Sequence, residues 1–409
     1  MKTFIFKIVI LSISALLLVS CTEPYALQTN SYEEALVIEA TITDELKFQE
    51  IKISKTYRLE ESAPTIVSDA VVVLKDNLGN TYDFIEQSDK YVSVTPFKAE
   101  PNRQYQLKII TDNGKSYTSK TEVLTQVSPI QNITPRINNV NGQRGVEIVV
   151  NSFDPTNNSK YYRFEYEETN KIVAPRWLPV KAQVVYGPQG SSPPAVINLL
   201  PRTEEAQICF TTKKSDKIIL TSTNDLTEDR VAFPVRFIAN NDYLIANRYS
   251  ILVKQYVQNL ASYTYYKTLS ELSGNESVLS QNQPGFFFGN LKSDDNPNEK
   301  VIGYFEVSSV SSQRIFFNFS DVFPFELLPK YPYKCDPDPI LGTDDPEVYF
   351  KFCFDPFDFT CGGYSALQLL ASEKSVYFNL VDNIYELYPT PCGDCTSFSS
   401  NIRPTFWID

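Results

Sequence analysis

The sequence contains no histidine, which is the most restrictive feature of its composition. Without an imidazole there is no Ser-His-Asp or Cys-His catalysis, no HExxH metalloprotease helix and no zinc site with histidine ligands. Glycine is also scarce, with 14 among 409 residues, and no GxGxxG, GxxxxGK[ST] or GxSxG motif occurs. The usual phosphate-binding loops and the nucleophile elbow of the α/β-hydrolases are therefore excluded.

The residues that are abundant indicate a folded, β-rich and acidic protein. Hydrophobic residues make up 42% of the chain, and 25 tyrosines and 27 phenylalanines favour pleated sheet surfaces. The length predicts two or three domains, since single cores stop growing near ~250 residues. With 37 basic and 49 acidic side chains the formal charge is −12, which argues against a nucleic-acid partner because phosphates would be repelled.

The only long apolar run lies at the N terminus. Lys2 and Lys7 precede an apolar stretch from Ile8 to Leu18, and a small-residue cleavage site ends at Cys21. An uncleaved transmembrane anchor is the alternative, but the apolar stretch falls short of the ~20 residues that cross a bilayer. We therefore predict a lipoprotein signal peptide over residues 1–20.

Cleavage after residue 20 would make Cys21 the first residue of the mature chain and the site of lipidation. It would remove Lys2 and Lys7 and no acidic residue, so the formal charge would change from −12 to −14. Fatty-acyl chains such as palmitate contribute roughly 0.8 kcal/mol per buried CH₂, so several chains would anchor the protein stably.

Residues 21–128 are predicted to form an immunoglobulin-like β-sandwich. Short strand-like runs follow one another from residue 35 to residue 127, separated by Asn-Gly and Asp-Asn turn signals. In one run Tyr105, Leu107 and Ile109 alternate with Gln106 and Lys108. This alternation places one face of the strand in a core and the other in water.

Residues 129–409 are predicted to form a larger β-rich domain with one helical segment near 242–273. Apolar and aromatic residues recur there at spacings of three and four, which is typical of an amphipathic helix or a broken pair of helices. These residues, expected to contact the core rather than a ligand, are Tyr249, Leu252, Val253, Tyr256, Leu260, Tyr263, Tyr266 and Leu269.

Six cysteines remain besides Cys21, and an even number in an exported chain predicts up to three disulfides. They are Cys209, Cys335, Cys353, Cys361, Cys392 and Cys395, and the pairing stays open. The Cys392-Gly-Asp-Cys395 motif also allows a redox pair or half of a zinc site. Flanking prolines and the lack of a second such motif favour structural disulfides.

A cluster of acidic residues lies between Cys335 and Cys361 and consists of Asp336, Asp338, Asp344, Asp345, Glu347, Asp355 and Asp358. Calcium binds such carboxylates, but the spacing matches no EF-hand and four prolines interrupt it. A solvated acidic loop is favoured, a calcium site over 336–358 is left open, and paired carboxylates for glycoside hydrolysis are disfavoured. We predict no cofactor and no catalytic residue.

The mature chain closely resembles a family of Bacteroidota lipoproteins grouped as domain of unknown function DUF4249. The resemblance spans nearly the whole mature chain and rests on the order and spacing of several modest motifs. They are Cys21–Pro24, Ala35–Glu45, Glu50–Ser54, Phe97–Asn102 with Tyr105, Tyr249–Tyr256, Val301–Phe305 with Ser308–Arg314, Cys392–Cys395 and Arg403–Trp407.

The resemblance implies an outer-membrane lipoprotein in a family often encoded beside TonB-dependent receptors, and it supplies no catalytic or ligand residues. The resemblance implies exposure on the cell surface, and the periplasmic face stays as the alternative because Glu23 alone represents the acidic export signal that often follows the lipidated cysteine. The sequence thus predicts a non-enzymatic accessory or ligand-capture subunit of a TonB-dependent receptor. The alternatives are a structural or adhesion protein and, third, an enzyme that uses the acidic loop.

Overall fold

The computed structural model describes residues 34–57, 61, 63–188, 195–274, 288–337, 366–381 and 384–409. This part of the chain is mainly β, as the sequence predicts, and it contains a few short helices. Across these ranges, no helix combines the length and the apolar character needed to cross a membrane.

The strands, in chain order, are β1 (Leu36–Thr43), β2 (Glu50–Lys55), β3 (Val71–Asp76), β4 (Thr81–Gln87), β5 (Lys90–Ser93), β6 (Gln104–Ile110), β7 (Ser116–Ser119), β8 (Glu122–Val123), β9 (Ile130–Val140), β10 (Gln143–Asp154), β11 (Tyr161–Val173), β12 (Val180–Tyr186), β13 (Ala195–Pro201), β14 (Ile208–Lys214), β15 (Ile219–Ser222), β16 (Asp229–Ala239), β17 (Tyr249–Gln258), β18 (Leu291–Ser293), β19 (Val301–Ser308), β20 (Val310–Phe317), β21 (Ser375–Val381) and β22 (Ile384–Pro389). The α-helices are α1 (Leu260–Gly274), α2 (Phe319–Val322), α3 (Ala366–Ala371) and α4 (Thr390–Gly393). Two 3₁₀ turns span Tyr243–Ile245 and Cys395–Ser397.

The first sheet has ten strands in the order β18-β7-β6-β3-β4-β5-β2-β1-β19, with β8 beside β6. β1 and β19 run parallel, from Leu36 opposite Val301 to Thr43 opposite Ser308, whereas the neighbouring pairs are antiparallel. The expected alternation in β6 is confirmed, because Tyr105, Leu107 and Ile109 are buried and Gln106 and Lys108 are exposed.

The two ends of this sheet meet through a side chain. The Asn290 amide donates to the Phe305 carbonyl (2.7 Å), and the Phe305 N–H donates to Asn290 Oδ1 (2.8 Å). A Cβ at Gly289 would lie 1.5 Å from the Gly303 carbonyl oxygen, and Gly303 has a φ of +140°. Both positions therefore require glycine, and the sheet curls until β18 and β19 touch.

The first core lies inside this curled sheet, with side chains such as Ile42, Leu74 and Leu107 fully buried. Leu291 and Phe305, on β18 and β19, belong to the same core. The immunoglobulin-like sandwich expected for residues 21–128 is not confirmed, because strands from a much later part of the chain complete the sheet. The division into 21–128 and 129–409 stays a prediction.

The second core lies between two further sheets. One has the order β16-β10-β9, and the other has the order β14-β11-β17-β20 with β15 also paired to β11. Val146, Ile148 and Val150 of β10 face Phe164 and Tyr249 of the other sheet across this core. The two cores are joined along the chain, since only Ser309 separates β19 of the first sheet from β20.

The helix expected over 242–273 occurs only in its second half. Residues 260–274 form α1, but Tyr249–Gln258 is strand β17, so the helical prediction was wrong there. Tyr249, Ile251, Val253 and Val257 point into the second core at the spacing of two that defines a strand. The long β11 pairs with ten residues of β17, and this non-local pairing outweighs a weak helical spacing.

The C-terminal region is held by two disulfides. Cys209 of β14 bonds to Cys395, and Cys335 bonds to Cys392, so the two cysteines of the CxxC motif bond to different distant partners. This arrangement confirms structural disulfides and excludes a redox pair within the motif. Cys353 and Cys361 lie outside the described residues.

Candidate functional site: a charged trough on the β11–β17 sheet

The site lies on the face of the β11–β17 sheet that is turned away from the second core. Along β11, Tyr162 and Phe164 enter that core, so Arg163, Glu165 and Glu167 project from the opposite face. On the adjacent β17, Lys254 lies directly opposite Glu165, and Leu252 lies opposite Glu167. The outer face therefore presents charged side chains in paired rows.

One end of this face is covered by α1 and β19, which bury the Arg163 guanidinium. Its centre lies 4.3 Å from the Tyr256 ring centroid and 4.8 Å from that of Tyr266. Arg163 donates to Glu306 Oε1 at 2.5 Å and also pairs with Glu165. Two aromatic rings and two carboxylates thus hold one cation between the two sheets.

Glu306 is almost completely buried and accepts hydrogen bonds at both carboxylate oxygens. Besides Arg163, Thr41 donates to Oε1 (3.0 Å), and Gln258 (3.0 Å) and Ser262 (2.5 Å) donate to Oε2. Burial alone would raise the pKa of Glu306, but the Arg163 charge and these hydrogen bonds hold that pKa below its ordinary value.

Arg163 shows the complementary effect. Burial disfavours its charge, but the Glu306 carboxylate offsets this and raises the pKa of Arg163 well above its ordinary value. The pair is therefore ionised throughout the physiological range. It also joins β11 to β19, two strands that belong to different sheets.

The other end of the face is covered by the C-terminal tail, residues 401–409. Trp407 is buried against Phe210 and Phe316, with ring centroids 4.9 and 5.7 Å away. The Arg314 guanidinium lies 3.5 Å from the Phe406 centroid and donates to Glu167 at 2.9 Å. The ion pair between Arg314 and Glu167 marks the border between the part of the face that the tail covers and the part that is open.

Between these two covers the face remains open as a trough of about 400 Å³. Its floor includes Leu252 and Lys254, and the turn after β14 supplies Lys214, Asp216 and Lys217 as a wall. Glu39 of β1 and Tyr266 of α1 complete the opposite side. The volume is within the range of small-molecule sites, which are ~300–1,000 Å³.

The charges in the trough fall into two groups. Arg163, Glu165 and Glu167 form ion pairs within the protein. Among the described residues, by contrast, no ion pair or side-chain hydrogen bond reaches the charged groups of Glu39, Lys214, Asp216, Lys217 and Lys254. The trough thus combines an ion-paired, fixed base with unsatisfied charges of both signs around it.

A second cavity of about 410 Å³ lies between the β12–β13 hairpin and the C-terminal region. Arg202 and Asp394 line it and form an ion pair at 2.9 Å. Asp394 also accepts from the Thr396 N–H and so caps the 3₁₀ turn that contains Cys395. Because Arg202 and Asp394 are committed to holding the disulfide region, this cavity is the weaker candidate.

The sequence-based candidates lie mostly elsewhere. Cys21 and almost all of the 336–358 acidic segment fall outside the described residues, so the calcium question stays open. Cys209, Cys335, Cys392 and Cys395 are structural. In the described ranges, no three His, Cys, Asp or Glu side chains come together as a metal site.

The residues of the trough were missed by sequence reasoning, although some belong to the segments that carry the family resemblance. Ala35–Glu45 supplies Glu39, Tyr249–Tyr256 supplies Lys254, and Ser308–Arg314 supplies Arg314. The Arg403–Trp407 segment forms one boundary of the trough. Segments far apart in the sequence therefore meet at this site.

Comparison with known proteins gives a family but no activity. Residues 22–314 match the family described as "Domain of unknown function (DUF4249)". No curated protein matches. A solved structure, a DUF4785 family protein from Legionella pneumophila, is 8% identical over 53% of this chain with a TM-score of 0.15. The match covers 49% of that protein, so this chain spans about half of its length.

Proposed function

This chain belongs to the DUF4249 family, and from that premise we propose that it is a lipid-anchored, non-catalytic binding protein of the outer membrane. In this proposal it captures a ligand in the trough and presents it to a TonB-dependent receptor. The observation that carries the proposal is the trough itself, an open site of about 400 Å³ with unsatisfied charges above a fixed base.

The chemistry of the trough favours binding over catalysis. Its two best-placed carboxylates, Glu165 and Glu167, are neutralised by Arg163 and Arg314. A general acid or base needs a carboxyl group that is free to reach a substrate, and these two are held by the arginines instead. No histidine is available as a base anywhere in the sequence.

The membrane attachment is supported by the N-terminal sequence. Residues 1–20 have the order of a signal peptide, and Cys21 stands at its cleavage site. The family match begins at residue 22, directly after this cysteine. Lipidation of Cys21 would keep the trough close to a receptor in the same membrane. This tethering raises the effective concentration of the lipoprotein at the receptor.

A contact with a partner protein is supported by one exposed apolar loop after α2. Phe325 is 100% exposed and Leu327 is 94% exposed. Glu326 between them is fixed by Arg144 (2.9 Å) and by Asn240 (2.7 Å). The two apolar side chains are thus held outward, and preformed exposed apolar groups are typical of protein interaction surfaces.

The proposal is tested by purifying the affinity-tagged lipoprotein from its own cells after gentle detergent extraction. A TonB-dependent receptor should co-purify, and its recovery should fall with the double variant Phe325→Ser and Leu327→Ser. The matched control is Leu78→Ser, an exposed leucine in the turn between β3 and β4. Recovery of the lipoprotein without any receptor under several extraction conditions would overturn the proposal.

A deletion strain separates this function from the alternative of adhesion or envelope structure. Ligand capture predicts a growth defect that appears only when a particular nutrient is limiting. A defect in attachment or envelope integrity with normal growth on every nutrient would favour the alternative. The Cys21→Ser variant should release the protein from the membrane fraction and reproduce the deletion phenotype.

A further inference from the structure

The chemical class of the ligand can be narrowed from the charges that the trough leaves unsatisfied. Lys254 lies on the floor, and Lys214 and Lys217 lie on one wall, so three ammonium groups border the open space. Glu39 and Asp216 add two carboxylates that likewise lack partners in the described part of the chain. A ligand that satisfies this set must itself have both an anionic and a cationic group.

Other ligand classes fit the trough less well. A phosphate or nucleotide would meet Glu39, Glu165, Glu167 and Asp216 as well as the lysines, and the repulsion would offset the attraction. A lipid would need an apolar lining, whereas Leu252 and Ile218 are the aliphatic side chains there. The ring of Tyr266 is already engaged by Arg163 and gives little stacking surface for a sugar.

The C-terminal tail shows how the same sheet face holds a peptide. Residues 401–409 cross this face without helix or strand structure, with Trp407 in an aromatic pocket. The Asp409 carboxylate is paired with Arg403 (2.8 Å) and Lys171 (3.7 Å). Burial of an aromatic side chain and pairing of a carboxylate with one lysine of the face, Lys171, are therefore already used for a segment of this chain.

The trough begins beside Phe406, whereas the tail runs on to Asp409 at Lys171, which is farther along β11. Arg314 lies over the Phe406 ring on one side and pairs with Glu167, a residue of the trough, on the other. An extended segment that entered the trough would therefore lie next to Phe406, on the same sheet face as the tail. Lys254 lies on the floor of the trough directly opposite Glu165 and has no partner in the described ranges, so it is available to the carboxylate of such a segment.

We propose that the trough binds a short peptide as a zwitterion, with its terminal carboxylate at Lys254 and its ammonium group between Glu39 and Asp216. This inference rests on the proposed ligand capture and names the class of ligand. It requires no conformational change, since the base of the trough is fixed by the Arg163 and Arg314 ion pairs.

The test is calorimetric titration of the full-length lipoprotein in detergent with the tripeptide Ala-Tyr-Ala. Saturable binding is expected, at least tenfold weaker for the C-terminally amidated tripeptide and at least tenfold weaker for the N-acetylated one. Lys254→Met should weaken binding of the free tripeptide about tenfold. It should leave binding of the amidated form unchanged, because the same contact has already been removed.

Lys75→Met is the matched control, since Lys75 is an exposed lysine on strand β3 outside the trough. It should bind the free tripeptide like the unmodified protein, and all variants should keep the same unfolding temperature. Equal binding of free and amidated tripeptides would overturn the proposal, as would tighter binding of inorganic phosphate or maltotriose with loss in Lys254→Met.

The two proposals fail in different ways. Absence of tripeptide binding by a lipoprotein that still co-purifies with its receptor would refute the peptide ligand and leave the receptor function standing. Tripeptide binding that depends on Lys254, in a protein that never recovers a receptor, would support the ligand and refute the receptor function.

Discussion

The buried ion pair between Arg163 and Glu306 provides the sharpest test of the structure. The informative change is Glu306→Gln, which keeps the size and shape of the side chain and removes its charge. Each carboxylate oxygen accepts two hydrogen bonds, Oε1 from Arg163 and Thr41 and Oε2 from Gln258 and Ser262. In the glutamine variant the amide NH₂ group would replace one of these oxygens, and it would then face two donors in either orientation. Arg163 would keep a buried positive charge with only the partly exposed Glu165 to balance it.

The expected loss of folding stability is large for a variant that exchanges one oxygen for an NH₂ group. Removing one member of a buried pair typically destabilises a protein by about 3–5 kcal/mol, because the remaining charge stays desolvated. At roughly 2 °C per kcal/mol for a large chain, the unfolding temperature should fall by about 6–10 °C. The control is Glu50→Gln, since Glu50 pairs with Lys90 at 2.8 Å on an exposed surface and should contribute less than about 1 kcal/mol.

The pH dependence follows from the lowered pKa of Glu306. A carboxyl group whose pKa is depressed by folding adds stability that is present above its unfolded pKa, about 4.3, and is lost as the pH falls through the folded value. The difference in the free energy of unfolding between the wild type and Glu306→Gln should therefore be fully present at pH 7 and shrink below about pH 4. Thermal unfolding at pH 7, 5 and 3 measures it.

A double variant separates the ion pair from simple loss of packing. Arg163→Met with Glu306→Gln removes both charges, and its destabilisation should be smaller than the sum of the two single variants by about 2 kcal/mol. Additive losses, or a Glu306→Gln variant no less stable than Glu50→Gln, would refute the claim that this pair is desolvated and coupled.

Three further changes test other parts of the fold. Replacing Cys209 and Cys395 by serine should cost about 2–5 kcal/mol, because this disulfide joins residues 186 apart, and calorimetry showing an unchanged unfolding temperature would contradict it. Trp407→Ala should cost about 3–5 kcal/mol or release the tail locally, and hydrogen exchange of residues 401–409 distinguishes this from an unaffected tail. Burial would raise the pKa of Asp154, but hydrogen bonds from the turn that follows lower it to about 2, so Asp154→Ala should lose about 1–3 kcal/mol at pH 7. That loss should diminish as the pH falls from about 4 towards 2, and denaturant titrations at pH 7 and 3 that show equal losses would count against it.

The local patterns were predictable where one strand face meets water and the other meets a core. The alternation in β6 correctly separated Tyr105 and Leu107 from Gln106 and Lys108. The same reasoning failed for residues 249–258, because a strand buried on both faces has no clean alternation. Gln255 and Tyr256 of β17 are both buried, on opposite faces, so apolar and aromatic residues accumulate at spacings of three and four by chance.

The site itself could not be predicted, because its residues are brought together by strand pairing over long distances. Arg163 and Glu306 are 143 positions apart and meet only because β19 pairs with β1 in the first sheet and then continues into β20. No local spacing encodes such a contact. The sequence did indicate the disulfides, since an even number of cysteines follows the predicted signal peptide, but it did not give their partners.

The continuity of β19 and β20 also explains why the trough has a defined length. Glu306 of β19 holds Arg163 at one end, and Arg314 of β20 holds Glu167 at the other. Arg163 and Glu167 are four residues apart on β11, which is about 13 Å, and the eight residues from Glu306 to Arg314 reach at most about 26 Å, so one stretch of backbone can form both ion pairs. Each ion pair also fastens this stretch to β11, which forms the floor between them. One end of the trough is therefore bounded by an ion pair that joins two sheets and the other end by an ion pair within one sheet, so the length of the trough depends on how these strands pack.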